Sequence, residues 1–245
     1  MIVSDVHRYV FVELPRAGSS AIARELREHY AGRAVLQKHS TFRDFVAIAA
    51  PEQRRYFVFS TIRDPLDDAV SNYFKYVTDH RARYSRPLPA GRWRIIGLVQ
   101  RRLWRRVATG EMDFPVFFRS VYVLPYDTWA SDAHGSFDFV IRFERLADDF
   151  TEALRRIGVE PVRPLPVRNV TGGRSRDYTT YYTPEIIARA KWVFGPYMRR
   201  WGYSFPEAWG EVRVSRRVEF WYRAVGLARS FYWRHLRFRL RRDRA

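Results

Sequence analysis

The chain contains no cysteine, and this absence removes several classes of chemistry. Without a thiol there is no disulfide, no thiolate metal site and no cysteine nucleophile. No stretch is apolar for long enough to cross a bilayer as a helix. The first residues also lack a basic segment followed by an apolar one and a cleavage site, which is the pattern of a secretion signal. We therefore expect a soluble, cytoplasmic protein.

Motifs for metal, ATP and nucleic acid are missing as well. The six histidines show no metal-ligand spacing, so we predict no metal site. No Walker A sequence is present, which argues against a P-loop kinase of a small molecule. We find no helix-turn-helix, zinc-finger or RNA-recognition signature, which argues against a nucleic-acid partner. A P-loop kinase of a small molecule and a nucleic-acid-binding protein remain the two alternative functions.

What the chain has in excess is positive charge. Of its 245 residues, 44 are Lys or Arg and 26 are Asp or Glu, which gives a formal net charge of +18. Such a field attracts anions, whether nucleotides, nucleic acid, acidic lipids or acidic glycans. Hydrophobic residues make up 47% of the chain, enough for a sizeable core.

Strand and helix patterns alternate along much of the chain. Apolar, β-rich runs predict strands at 8–14, 34–37, 56–62 and 137–143, and helical periodicity follows each of them at 19–30, 41–50, 66–77 and 145–157. This order predicts an α/β domain over 1–210 with a central parallel sheet flanked by helices. Residues 79–135 interrupt this alternation and are predicted to form a helical insert. Further along the chain, the sequence predicts an irregular loop at 160–182, a helix at 183–201 and a helical appendage at 211–245.

The first segment with chemical potential is ELPRAGSSAI, residues 13–22. A strand runs through a turn at Gly18 into a helix, so free backbone N–H groups and the positive end of the helix dipole face one point. Arg16 adds a positive charge, and Ser19 and Ser20 add hydroxyl groups or a helix cap. The same sequence also fits an ordinary strand-to-helix turn.

Two further segments follow predicted strands. Arg63 stands where the third predicted strand ends, and Ser71 lies eight residues later on the next helix, beyond Pro65. A guanidinium fork and a hydroxyl are suited to grip one phosphate. His39 follows the second predicted strand at the carboxyl edge of the sheet, where ligands of open α/β sheets bind, and its imidazole suits a general base. Each of these residues taken alone also fits a structural role.

In this order, the segments resemble the PAPS-dependent sulfotransferases, which use 3′-phosphoadenosine 5′-phosphosulfate. The similarity is greatest to the branch that sulfates carbohydrates, including its bacterial members. PRAGSSAI is similar to the family's 5′-phosphosulfate loop, RDPLDDAVSNYF to its 3′-phosphate motif, and KHSTFRDF to the segment that supplies a catalytic histidine. The resemblance covers residues 8–206 and implies a P-loop-like, three-layer fold.

The resemblance implies a role for each site residue. The 5′-phosphate is held by Arg16 and by the backbone of Ala17, Gly18, Ser19 and Ser20, and the 3′-phosphate by Arg63 and Ser71. His39 acts as general base, and Lys38 either neutralises the departing sulfuryl oxygens or faces solvent. PAPS is the donor, and no metal is required.

Two positions depart from the family pattern. The family usually has Lys where Arg16 stands and often has a basic residue where Asp68 stands. The first change keeps the charge but alters its geometry, and the second puts the strength of donor binding in doubt. Arg174 is a further arginine that fits either a contact with the donor or acceptor, or a solvated loop.

The acceptor is expected at the 79–135 insert, where Tyr84, Trp93 and Trp104 fit either sugar stacking or the protein core. A carbohydrate or glycolipid is the expected acceptor. The tail at 218–242 reads as a basic amphipathic helix, with Trp221, Val225 and Ala228 on its apolar side. It fits contact with an anionic membrane at the inner face, packing on the enzyme body, or packing on a second subunit.

Overall fold

The structure is a computed structural model that describes residues 1–88, 93–128, 137–166 and 172–231. Within these ranges one five-stranded sheet has the order β3–β1–β2–β4–β5. The strands are β1 (Ile2–Ser4), β2 (Tyr9–Val12), β3 (Arg33–Ala34), β4 (Phe57–Ile62) and β5 (Phe139–Arg142). The helices are α1 (Ser19–His29), α2 (Phe42–Val46), α3 (Pro65–Val77), α4 (Trp93–Ala108), α5 (Phe114–Val121), α6 (Leu146–Arg156), α7 (Pro184–Trp201) and α8 (Arg216–Phe231). The predicted α/β class, with helices flanking a sheet, is confirmed.

The sheet is mixed, so the prediction of a parallel sheet was wrong in part. β2, β4 and β5 are parallel neighbours, but β1 pairs antiparallel with both β2 and β3. Sequence patterns missed β1 because it is only three residues long and joins β2 through a tight hairpin turn. In that turn Arg8 has a positive φ of 54°.

Both faces of the sheet are covered by helices because its strands are apolar on both sides. Tyr9 and Phe11 of β2 pack with residues of α1 and α6 in one buried cluster. Val10 and Val12 pack with Phe45 of α2 in another. Successive strand residues point to opposite faces, so continuous apolar runs such as YVFV require cover on both.

The chain divides into two compact units. The first contains the whole sheet with α1, α2 and α6, and comprises Met1–Asp64, Asp127–Arg168 and Arg223–Ala245. The second contains α3, α4, α5 and α7, and comprises Pro65–Tyr126 and Asn169–Tyr222. The helix α8 contributes residues to both.

The second unit has its own aromatic core. Tyr73 of α3 makes edge-to-face contacts with Phe114 and Phe117 of α5, with ring centroids 5.7 Å and 5.3 Å apart. Phe194 of α7 packs on Phe118 at 5.6 Å. Such pairs add to the burial of the rings themselves. The predicted 79–135 insert contains the helices α4 and α5, and its residues 89–92 and 129–135 lie outside the described ranges.

Most predicted element positions agree with the structure to within a few residues. The predicted 34–37 strand is displaced to Arg33–Ala34, and the predicted 41–50 helix is shortened to Phe42–Val46. No helix in the described part of the chain is long and apolar enough to cross a membrane.

Candidate functional site

The candidate site lies at one edge of the sheet in the first unit. Because β2, β4 and β5 are parallel, their carboxyl ends meet at the same edge. Three loops begin there, at Glu13, Arg63 and Phe143. This edge is where open α/β sheets bind ligands, and most of the predicted site residues lie in these loops or next to them.

The turn after β2 has an unusual backbone. Arg16 and Gly18 both have positive φ, at 66° and 76°. Gly18 is the N-cap of α1 and provides no side-chain cap, so the prediction that Ser19 or Ser20 caps this helix was wrong. A helix that starts this way leaves its first N–H groups without intrahelical partners. Such a start favours the binding of an anion.

Only glycine fits well at position 18. A Cβ there would lie 3.0 Å from Leu146 Cδ2 and 3.1 Å from Phe143 Cδ2. The positive φ would add strain for any other residue. The turn is therefore held close to the loop that follows β5.

The two serines after Gly18 have different partners. Ser19 is buried, and its hydroxyl donates to the Leu14 carbonyl at 2.6 Å. Ser20 is exposed, and its hydroxyl accepts a hydrogen bond from Lys38 Nζ at 2.6 Å. Ser20 can still donate its own proton to an anion, whereas Ser19 fixes the turn. The Lys38 contact also ties the loop after β3 to the start of α1.

Arg63 is buried at the end of β4. Its Nη1 donates to the Arg16 carbonyl in a long hydrogen bond of 3.4 Å, and its guanidinium carbon lies 4.2 Å from the centroid of the Phe143 ring. The neighbouring Asp64 N–H donates to the Glu144 carboxylate at 2.7 Å. Sequence reasoning missed Phe143 and Glu144, although their position at the end of the predicted 137–143 strand was the available signal.

His39 lies in the loop between β3 and α2 and has a positive φ of 63°. Its Nδ1 lies 2.7 Å from the Glu13 carbonyl oxygen. Because a carbonyl only accepts, Nδ1 carries the proton and Nε2 is the basic nitrogen of the neutral ring. The contact with Glu13 could not be predicted from the sequence, because a residue of any type can accept a hydrogen bond through its backbone carbonyl.

The environment of His39 favours its neutral form. Burial lowers the pKa of His39, and the nearby Lys38 charge lowers it further. The hydrogen bond to the Glu13 carbonyl opposes this shift without reversing it. His39 is therefore ready to accept a proton near neutral pH.

Ser71 lies on α3 in the second unit and is fully buried. Its two acidic neighbours on that helix have partners within the same unit. Asp67 forms an ion pair with Arg174, and Asp68 accepts a hydrogen bond of 2.9 Å from the Tyr126 hydroxyl. Asp68 thus has a structural contact, and Arg174 is held by a carboxylate.

One group of acidic residues has the proximity of a metal site. Glu25, Glu28 and His29 offer ligand atoms within 4.8 Å of one another. Arg163 already binds both oxygens of Glu25, each at 2.9 Å, and lies 3.7 Å from Glu28. An arginine in this position makes the group an ion-pair network on the surface of α1.

The aromatic residues proposed for the acceptor are mainly structural. Tyr84 is buried and stacks on Tyr76, with ring centroids 4.2 Å apart. Trp104 is half-buried against the aromatic core of the second unit. The side chain of Trp93 lies outside the described residues. Of the two roles considered for Tyr84, a place in the protein core is the one that the structure shows.

Comparison with known proteins gives no relative for this chain. No protein-family model, curated protein or solved structure matches it.

Proposed function

We propose that the chain is a PAPS-dependent sulfotransferase that transfers a sulfuryl group to a hydroxyl of a carbohydrate or glycolipid acceptor. The observation that carries the proposal is His39, which has Nε2 as its basic nitrogen and is bonded to the Glu13 carbonyl at the end of β2. Three residues further on, Arg16 begins the turn into α1. A proton acceptor and an anion-binding turn thus share one edge of the sheet.

The residues at this edge fit an anionic nucleotide. Arg16 and Arg63 bring two guanidinium groups to the loops after β2 and β4, and Lys38 adds an ammonium group beside Ser20. The start of α1 adds backbone N–H groups. For the donor, Arg16 and the N–H groups of residues 17–20 would hold the 5′-phosphate, with Ser20 as the hydroxyl donor in place of Ser19.

The 3′-phosphate is assigned to Arg63 and Ser71. Stacking on Phe143 fixes the guanidinium of Arg63. A side chain that is already held in place loses less conformational entropy when it binds a phosphate. The assignment of Ser71 rests on the sequence motif that it shares with Arg63. At Asp68, where the chain departs from the family pattern, one carboxylate oxygen accepts a hydrogen bond from Tyr126.

When bound, PAPS would supply the sulfuryl group and leave as 3′,5′-adenosine bisphosphate. His39 Nε2 takes the proton from the acceptor hydroxyl, and the Glu13 carbonyl holds the ring while the imidazolium forms. Arg16 and the N–H groups of α1 stabilise negative charge on the departing phosphate. Lys38, which donates to the Ser20 hydroxyl, would neutralise sulfuryl oxygens. The protein's contribution is positioning and charge stabilisation, as in phosphoryl transfer.

His39→Ala tests this mechanism. Removal of a general base should lower kcat by about 10²–10⁴-fold. Binding of 3′,5′-adenosine bisphosphate should stay the same, because no donor contact is assigned to the ring. The assay is transfer of radiolabel from PAPS to a panel of glycans and glycolipids, with His7→Ala as the control variant. Near-normal turnover in His39→Ala with unchanged donor binding would rule out His39 as the base.

A further inference from the structure

The helix α4 exposes apolar side chains that a protein surface in water normally covers. Ile95 and Val99 are 70% and 63% exposed, and Ile96 and Leu98 are each 48% exposed. All four lie in the first half of the helix, and their spacing of three or four residues places them next to one another on one face of it. A contiguous apolar patch of this kind marks an interaction site.

An open groove runs along one side of this patch. It has a volume of about 540 Å³ and lies between α4 and α5, within the second unit. Its apolar lining comprises Tyr76, Ile95, Ile96, Val99, Leu103 and Val121. The polar lining includes Arg102 and Arg106, which lie toward the end of α4. The groove is therefore apolar at one end and cationic at the other.

The charge on α4 is positive throughout. The helix has five arginines and no acidic residue. Arg101 donates to backbone carbonyls of the 84–86 segment, and Arg106 pairs with Glu111 at 2.7 Å. Arg102 and Arg105 are exposed in the second half of the helix. Arg94 is the exception in the apolar half, and it is also exposed.

We propose that the first half of α4, together with its groove, inserts into the interfacial region of an anionic lipid bilayer. Arg105, six residues after Val99, is turned about 120° from it around the helix axis, so it lies to the side of the apolar face. Interfacial helices bury their apolar face by about 5–10 Å, with arginines at the level of the lipid phosphates. Arg102 and Arg105 contact those phosphates, and the groove takes up part of a lipid acyl chain. The long side chain of Arg94 extends until its guanidinium reaches the lipid headgroups. This inference is independent of the proposed sulfotransferase activity.

Co-sedimentation of the full chain with vesicles tests the insertion. We expect binding to vesicles of phosphatidylcholine with phosphatidylglycerol, and weak binding to phosphatidylcholine alone, because the arginines add an attraction to anionic lipid. Ile95→Ser/Val99→Ser should lower the bound fraction at limiting lipid by about tenfold or more. The matched control is Val6→Ser, since Val6 is 74% exposed and lies in the first unit. Thermal unfolding checks that each variant is folded.

The absence of cysteine allows a second, direct readout. A polarity-sensitive dye on Ile96→Cys should shift to the blue when anionic vesicles are added, and the same dye on Val6→Cys should not. Equal vesicle binding by Ile95→Ser/Val99→Ser and the parent protein would overturn the proposal. Saturable binding of monomeric dihexanoyl-phosphatidylglycerol without vesicle binding would also overturn it, in favour of a site for a free amphiphile.

Discussion

At the scale of single residues, the candidate site holds two of the eight non-glycine residues that have a positive φ in the described part of the chain. Arg16 and His39 both occupy the left-handed region, which is uncommon for residues other than glycine. Each such position costs on the order of 1–3 kcal/mol and persists only where the surroundings fix it. The Arg63 contact with the Arg16 carbonyl and the Glu13 contact with His39 are two such constraints. Strain of this kind is often found at functional sites.

Titration of His39 tests its environment without an activity assay. Burial lowers its pKa from the ordinary value of 6.5, so the ring should gain its proton only at a pH below 6.5. We expect an NMR titration midpoint for His39 below that value. In Lys38→Ala the midpoint should rise, because a neighbouring positive charge that lowers the pKa is gone. The pKa should still stay depressed in this variant, since burial is the larger cause.

The sign of this shift also predicts how turnover depends on pH. A base works only when it is unprotonated, so kcat/KM should fall on the acid side at a pH below 6.5. A His39 midpoint above 6.5 would contradict the environment described here.

At the scale of elements, the short helix α2 holds the His39 loop at its far end. Thr41 is the N-cap of α2 and forms a capping box with Asp44, with hydrogen bonds of 3.2 Å and 2.8 Å. The helix is only five residues long and is marginal by itself, so it depends on its cap and on the burial of Phe45. The cap therefore fixes the end of the loop that carries the proposed base.

Thr41→Ala should lower the free energy of unfolding by about 1 kcal/mol, because it leaves N–H groups of the first turn unsatisfied. Urea unfolding measures this change. Thr109→Ala is the control, since the exposed Thr109 hydroxyl at the end of α4 bonds only to its own helix. Its effect should stay within about 0.5 kcal/mol. Equal effects of the two substitutions would show that the capping box does not stabilise the fold.

The same elements show what sequence can predict. The runs that became β2, β4 and β5 are continuous and apolar, so their identity and order were predictable. The antiparallel strand β1 was not predictable, because a strand of three residues is too short to show a periodic pattern of apolar residues. The loop residues Arg63 and His39 were found because they follow predicted strands. The contact of Glu13 with His39 was not predictable, because Glu13 accepts the hydrogen bond through its backbone carbonyl oxygen, which every residue type possesses.

At the scale of the whole molecule, the positive charge has more than one use. The three cationic side chains at the sheet edge suit a nucleotide, and the arginines of α4 suit a lipid surface. The helix α8 adds another apolar surface, with Phe220, Leu227 and Phe231 66%, 73% and 57% exposed. On the predicted apolar side, Trp221 and Ala228 are exposed and Val225 is half-buried, and residues 232–242 lie outside the described ranges.

We propose that α8 also contacts anionic membranes, through this exposed side. Phe220→Ser/Leu227→Ser should lower the fraction bound to phosphatidylglycerol vesicles, because two exposed apolar side chains no longer enter the interface. Val162→Ser, at a residue 65% exposed elsewhere, serves as the control. If the double variant binds as the parent does, α8 instead packs on another protein surface.

The central claim, a nucleotide site that requires a 3′-phosphate, is tested most directly by thermal shift. A ligand that binds only the folded protein raises its melting temperature. We expect a rise with 3′,5′-adenosine bisphosphate, little with 5′-AMP or ADP, and loss of the rise in Arg63→Ala but not in Arg24→Ala, whose side chain is 58% exposed on α1. A rise with ATP and Mg²⁺ but none with the bisphosphate would contradict the sulfotransferase assignment and favour a kinase. No response to any nucleotide would favour a nucleic-acid-binding protein instead.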